Sequence, residues 1–117
     1  MNQSMSARTK SCLVIGLLLS IAGAPALAGG DAMAGKDKAQ ACAACHGEDG
    51  NSADPAFPRL AGQYASYLEQ ALLEYRSGAR QNAIMKGFAE PLSDEDIADL
   101  AAYFASQDGE LHAINPD

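Results

Sequence analysis

The sequence predicts an all-α fold made of three main helices and two long loops. No segment alternates polar and apolar residues with the period of two that is typical of strands. Two stretches carry apolar residues at helical spacing, and most of the remaining chain is rich in glycine, proline and polar residues, which favours loops. A chain of 117 residues has room for one small domain, so these elements belong to a single unit.

The first 28 residues are predicted to be a secretory signal peptide. Residues 1–10 are basic, residues 13–21 are almost entirely aliphatic, and small residues follow at Ala26 and Ala28, a pattern that signal peptidase cleaves. A membrane anchor is the alternative, but the apolar run is shorter than the ~20 residues that a spanning helix needs. We therefore expect cleavage after Ala28, a folded domain at 29–110, a tail at 111–117, and a periplasmic location without stable membrane insertion.

The mature chain is acidic and contains only two cysteines. All 15 acidic residues follow Ala28, whereas two of the eight basic residues precede it, so cleavage changes the side-chain charge from −7 to −9. This charge argues against nucleic acid as a partner and favours a basic face on a partner protein, or serves solubility alone. Cys12 leaves with the leader, and a disulfide between Cys42 and Cys45 would close too small a loop to stabilise the fold much.

The first predicted helix runs from Asp31 to Cys45, where alanine, lysine and glutamine predominate. Gly35 lies inside it, although a glycine in a helix costs about 1 kcal/mol relative to alanine. Close packing by another element would explain this glycine, and simple tolerance is the alternative. A glycine- and proline-rich loop follows at 47–62, and so long a loop in a small domain usually wraps around something.

The second predicted helix begins at Tyr64 and ends at Gly78, a residue type common at helix C-termini. Its apolar residues form one stripe at positions i, i+3, i+4, i+7, i+8 and i+11. The stripe consists of Tyr64, Tyr67, Leu68, Ala71, Leu72 and Tyr75.

Residues 79–91 are predicted to be a second loop, with Met85 near its middle. The third helix follows with a strong start signal, because Ser93 is suited to the N-cap and Asp96 to the capping-box position. Acidic residues in its first turn complement the helix dipole, and the helix should fade near residues 107–109. Its predicted buried face consists of Ile97, Leu100, Ala101 and Phe104.

The most informative motif is CAACH, residues 42–46. A thioredoxin-like dithiol would need strands near the motif, and tetrahedral zinc needs four nitrogen or sulfur ligands that this chain can hardly supply. In c-type haem attachment, Cys42 and Cys45 each form a thioether with the haem, and His46 binds its iron. One haem would also fill a domain that is almost too small to fold around a side-chain core alone.

A second axial ligand must come from elsewhere in the chain. Met85 lies outside the apolar stripes in which a methionine would be core, and His/Met ligation is expected for electron-carrying c haems. His112 in the tail, or an open coordination position, is the alternative. Met33 belongs to the attachment helix and does not reach the opposite face.

Residues 42–80 and 84–106 resemble the class I cytochromes c. The segments read CAACHGEDGNSADPAFPRLAGQYASYLEQALLEYRSGAR and IMKGFAEPLSDEDIADLAAYFAS, and they are most similar to a single domain of the bacterial cytochrome c4 and c553 type. The resemblance implies the small cytochrome c fold, in which three main helices and long loops wrap around one covalently bound haem. Cytochrome c4 proteins have two such domains, whereas this chain has one C-x-x-C-H motif.

The resemblance also implies roles for individual residues. Cys42 and Cys45 would be the thioether sites of haem c, and His46 and Met85 the axial ligands. The carbonyl of Pro58 would accept a hydrogen bond from the His46 imidazole and so orient it.

Three further positions match the family. Arg59 and Arg80 would be partners of the haem propionates. Gly35 would lie where the first and last helices cross, against Tyr103 or Phe104.

Two axial ligands leave no iron position open to a substrate, so we expect a carrier of single electrons and no enzymatic activity. The expected partners are redox proteins: a dehydrogenase or cytochrome complex as electron donor, and a terminal oxidase or reductase as acceptor. Two alternatives remain. The chain could be the haem c subunit of a periplasmic dehydrogenase, or a haem-based sensor or peroxidase if the Met85 ligand is labile.

Overall fold

A computed structural model describes residues 29–111, and in this range it contains five helices and no strand. The helices are α1 (Ala32–Lys38), α2 (Gln40–His46), α3 (Ala65–Ser77), α4 (Ala83–Ala89) and α5 (Asp94–Ala105). The prediction of an all-α fold is confirmed. None of these five helices has the length and apolar character that crossing a bilayer requires. The predicted signal peptide and His112 lie outside the described residues.

The predicted first helix is divided in two at Ala39. The ψ angle of Ala39 is −10°, and the Cys42 amide bonds to the Ala39 carbonyl only three residues earlier, at 2.9 Å. Ala39 is 2% exposed and belongs to the core cluster with Leu100 and Ala101. No glycine or proline lies at the break, which coincides with the contact between Ala39 and the core.

The crossing of α1 and α5 takes place at Gly35. A Cβ atom here would overlap the carbonyl group of Asp99 and lie 2.8 Å from the Cβ of Tyr103. Close packing therefore explains this glycine, and Tyr103 is the aromatic residue beside it. The Tyr103 hydroxyl donates a hydrogen bond to the Glu48 carbonyl at 2.8 Å, which attaches α5 to the loop that follows α2.

An ionic network reinforces the same crossing. The Lys38 ammonium donates to Asp99 at 2.6 Å and pairs with Asp96 at 2.9 Å, and the Asp31 amide donates to the second Asp99 oxygen at 2.7 Å. Hydrogen bonding to Lys38 lowers the pKa of Asp96 to about 2 and holds the pKa of Asp99 below its ordinary value. These contacts connect both ends of α1 to α5.

The structure confirms α3 and α5. Helix α3 ends at Ser77, and Gly78 follows in the left-handed conformation with φ of 83°. Ser93 and Asp96 form the predicted capping box at the start of α5, and all four residues of its predicted inner face are buried. Helix α5 ends at Ala105, slightly before the predicted region.

Residues 83–89 form a helix, so the prediction of a loop throughout 79–91 is wrong. The Asn82 side chain begins α4 by accepting hydrogen bonds from the Ile84 and Met85 amides, each at 3.0 Å. Asparagine is a strong N-cap residue, and the sequence contained this signal. The segment is only seven residues long and contains Gly87, so its sequence shows too little helical periodicity to predict a helix.

The chain after α5 packs against the loop between α2 and α3. A Cβ atom at Gly62 would overlap the Leu111 carbonyl oxygen, and the Asn51 side-chain amide donates to the Asp108 carbonyl at 2.8 Å. The backbone therefore remains in contact with the domain as far as Leu111.

Candidate haem site

The helices surround a cavity of about 560 Å³, within the range of about 300–1,000 Å³ that is common for cofactor sites. Side chains from α2, α3, α4, α5 and the loop 47–63 line it, and none of the lining residues is acidic. The apolar part of the lining includes Phe57, Leu68, Leu72, Phe88 and Phe104.

The apolar stripe of α3 faces this cavity. Five of its six predicted members line the wall, and Tyr64 is the exception. A helix stripe normally packs against another element. Leu68 belongs to the core cluster that includes Leu100, and Leu72 packs against that cluster; the stripe also faces the cavity, which suits a large apolar group there. The members that line the wall are Tyr67, Leu68, Ala71, Leu72 and Tyr75.

Helix α2 carries two thiols on the cavity wall. Cys42 and Cys45 are both free and half-buried, and their spacing of three residues places them about one helical turn apart. Burial of the side chain raises the pKa of the Cys42 thiol. The break at Ala39 allows α2 to reach the cavity while α1 stays on α5.

His46 has one ring nitrogen occupied and one available. The residue is 6% exposed, and its Nδ1 lies 2.8 Å from the Pro58 carbonyl oxygen. A carbonyl can only accept, so Nδ1 carries the proton and Nε2 keeps the lone pair that binds a metal. The Phe57 ring lies edge-on at 6.4 Å between centroids.

Met85 brings a thioether sulfur to the same cavity from α4. The residue is half-buried, and its amide is held by the Asn82 cap. A nitrogen donor on α2 and a sulfur donor on α4 therefore line one apolar space, which is the donor pair of a His/Met haem.

Two arginines complete the cavity wall. Arg59 pairs with Glu110 at 2.7 Å, and Arg80 lies beside the Tyr67 and Tyr75 rings. The lining itself includes no carboxylate, although Glu110 beside it pairs with Arg59, and two cations on such a wall suit a flat apolar group with two acidic substituents. The thiols, the donor pair and the cations together fit haem c.

Asn82 and Leu111 are among the lining residues that the sequence did not predict. Asn82 caps α4 and lines the cavity, and Leu111 lines it from the chain after α5. The first had a recognisable capping signal. The second had none, because its position depends on a contact with Gly62, far away in the sequence.

Comparison with known proteins identifies the same fold and motif. A family model described as "Cytochrome c" matches residues 32–108. Cytochrome c-554(548) of Halomonas halodenitrificans is 52% identical over 82 residues, which cover 68% of this chain and 99% of that protein. Cytochrome c4 of Pseudomonas aeruginosa is 47% identical over 107 residues, which cover 90% of this chain and 53% of that protein.

The crystal structure of reduced recombinant cytochrome c4 from Pseudomonas stutzeri superposes with a TM-score of 0.66 at 47% identity, covering 69% of this chain and 47% of that one. The chain thus spans about half the length of the cytochrome c4 proteins and nearly all of the Halomonas protein. It belongs to the cytochrome c family, whose members bind haem c covalently, and Cys42 and Cys45 are in place for that attachment.

Proposed function

We propose that this c-type cytochrome carries single electrons between redox proteins in the periplasm, with its haem iron bound by His46 and Met85. The observation that carries the proposal is that both donors line the cavity that also contains the two attachment thiols. With both axial positions filled, no site remains for a substrate, so we infer a carrier without catalytic activity of its own.

The haem, when bound, supplies the iron that alternates between Fe(III) and Fe(II). The protein keeps the ligands in one geometry for both states. The hydrogen bond from His46 to Pro58 fixes the imidazole plane, and the Asn82 cap fixes the backbone of Met85. A thioether ligand and an apolar cavity both favour Fe(II), so we expect a positive reduction potential.

The charged side chains near the cavity and on the remaining surface determine how the protein would associate with its redox partners. Arg59 and Arg80 are proposed to pair with the haem propionates, since both line the cavity. The acidic remainder of the chain favours a donor or acceptor with a basic face, which speeds encounter more than it strengthens the complex. A brief, small interface suits such transfer.

The test compares two methionine variants in the exported, haem-loaded protein. Met85→Ala should abolish the long-wavelength sulfur-to-iron charge-transfer band of the oxidised protein and lower its potential, because the sulfur ligand is lost. Met33→Ala is the matched control, since Met33 is 77% exposed and does not line the cavity; it should leave both unchanged.

Other outcomes distinguish the alternatives. A band that survives in Met85→Ala would exclude Met85 as the ligand. A wild-type protein without the band would favour a sensor or peroxidase, or ligation by His112. Stable co-purification with a larger catalytic subunit would favour the dehydrogenase subunit over a free carrier.

A further inference from the structure

Arg80 is folded back onto α3 by the chain reversal that ends that helix. Gly78 adopts the left-handed conformation, and the Arg80 amide then donates to the Glu74 carbonyl at 3.1 Å. This contact fixes the backbone of Arg80 beside the last turns of α3. Its side chain consequently returns along the face of α3 that lines the haem cavity.

Two tyrosines of α3 hold the guanidinium group. Its central carbon lies 5.2 Å from the centroid of the Tyr75 ring and 6.0 Å from that of Tyr67, distances at which a cation is attracted to an aromatic face. Both terminal nitrogens also lie 3.4 Å from the Tyr67 hydroxyl oxygen. All three side chains line the cavity.

The charge of Arg80 is not neutralised by a close protein carboxylate in the described part of the chain. Within residues 29–111, no acidic group lies within salt-bridge distance of it, whereas Arg59 and Arg76 each pair with one. Glu74 attracts Arg80 only from a longer distance, and its carboxylate accepts a hydrogen bond from Gln70 at 2.9 Å instead. The two rings therefore fix the position of this cation while no protein carboxylate of the described residues pairs with it, so its charge stays available for the haem propionate with which it is proposed to pair.

We propose that Tyr67 and Tyr75 are positioning residues that hold Arg80 as a fixed cation on the cavity wall, and that this cation raises the reduction potential of the haem. The proposal rests on the haem-based function proposed above. Reduction adds one electron from the redox partner to Fe(III) and removes one positive charge, so a nearby cation favours the reduced state. Arg80 is itself exposed, so its effect depends on being held at the cavity wall. A guanidinium group that moved freely through water would be screened more and would raise the potential less.

The first experiment removes the charge. Arg80→Gln should lower the equilibrium constant for reduction by about threefold or more, as a single charge in a partly solvated site would; a tenfold change corresponds to about 59 mV for one electron. Lys36→Gln is the matched control, because it removes the same charge from an exposed residue of α1 that does not line the cavity. Equal potentials for the two variants would overturn the proposal.

The second experiment tests the rings. Tyr75→Phe keeps the aromatic face and should keep the potential near that of the wild type, whereas Tyr75→Leu should lower it toward that of Arg80→Gln. In the Arg80→Gln background, Tyr75→Leu should cause little further shift, because it then acts on an absent cation. Equal potentials for the Phe and Leu variants, or additive shifts in the double variant, would show that Tyr75 does not act through Arg80.

The sulfur-to-iron band separates this proposal from the function on which it rests. Potentials are compared among variants that keep the band, and a wild type without haem or band would contradict the proposed function instead. If a variant does not fold, NMR of the reduced wild-type protein provides the remaining test. When the two rings restrict rotation of the guanidinium group, the two Arg80 Nη groups give separate signals, and a single averaged signal would overturn the proposal.

Discussion

Asn82 is the residue on which the position of Met85 depends most directly. Its side chain caps α4 and holds the Met85 amide. We predict that Asn82→Ala lowers the free energy of unfolding by about 1 kcal/mol and allows exogenous imidazole to displace Met85 at lower concentration. Denaturant titration measures the first effect, and loss of the sulfur-to-iron band during imidazole titration measures the second.

Asn82→Ser provides the control for this prediction, because serine is also a good N-cap. It should bind imidazole almost as weakly as the wild type. If the Ser and Ala variants were equally sensitive, the cap would have no role in retaining the ligand.

At the scale of elements, the crossing of α1 and α5 allows no side chain at position 35. A methyl group at Gly35 would overlap the Asp99 carbonyl, and α5 would have to move. We predict that Gly35→Ala lowers the free energy of unfolding by about 1–3 kcal/mol, as other overpacked positions do, in a denaturant titration of the haem-loaded protein.

Gly87→Ala is the opposite case and serves as its control. Gly87 also lies in a helix, but a Cβ atom there would meet no atom within 4 Å. Alanine has the higher helix propensity, so this variant should be as stable as the wild type or more stable. Similar losses in both variants would mean that packing at the crossing is not the cause.

The network around Lys38 makes the same crossing sensitive to acid. Asp96 and Asp99 have lowered pKa values in the folded protein, from an ordinary value of 3.8 to about 2 for Asp96. The stabilising effect of each carboxylate is therefore complete above about pH 4 and is lost as the pH falls through its lowered pKa, which is about 2 for Asp96. We predict that the free energy of unfolding falls less steeply between pH 4 and 2 in Lys38→Met than in the wild type.

Lys36→Met removes a charge from the same helix without touching the network and should keep the wild-type slope. Loss of axial ligation in acid would affect all three proteins alike. Parallel pH profiles for the wild type and Lys38→Met would show that the network contributes nothing to acid stability.

The elements differ in how far local sequence decides them. Helix α5 was predictable because Ser93 and Asp96 lie three residues apart and cap it through their own side chains. The division between α1 and α2 was not, because Ala39 bends to fit a core formed by residues about 60 positions later in the chain.

At the scale of the whole molecule, the haem replaces much of an ordinary core. The cavity of about 560 Å³ lies where a domain of this size would otherwise need large side chains, and an empty apolar space of that size is costly. We predict that Cys42→Ser/Cys45→Ser, produced without covalent haem, loses most of its helical circular dichroism and its slowly exchanging amides.

Cys12→Ser is the control, since Cys12 lies in the predicted leader, and the exported protein should retain its haem and its fold. A colourless double variant with native helical content and protected amides would show that the polypeptide folds without the haem.

The all-α class, the C-terminus of α3, the start of α5 and the C-x-x-C-H attachment motif were predictable from the sequence, because these depend on helical periodicity and on residues a few positions apart. The break at Ala39, the position of Leu111 on the cavity wall and the position of Arg80 against two rings are seen only in the folded molecule. The physical reason is that each of these arises from packing around the cavity, where distant segments of the chain meet, and such contacts leave little or no mark in the local sequence pattern.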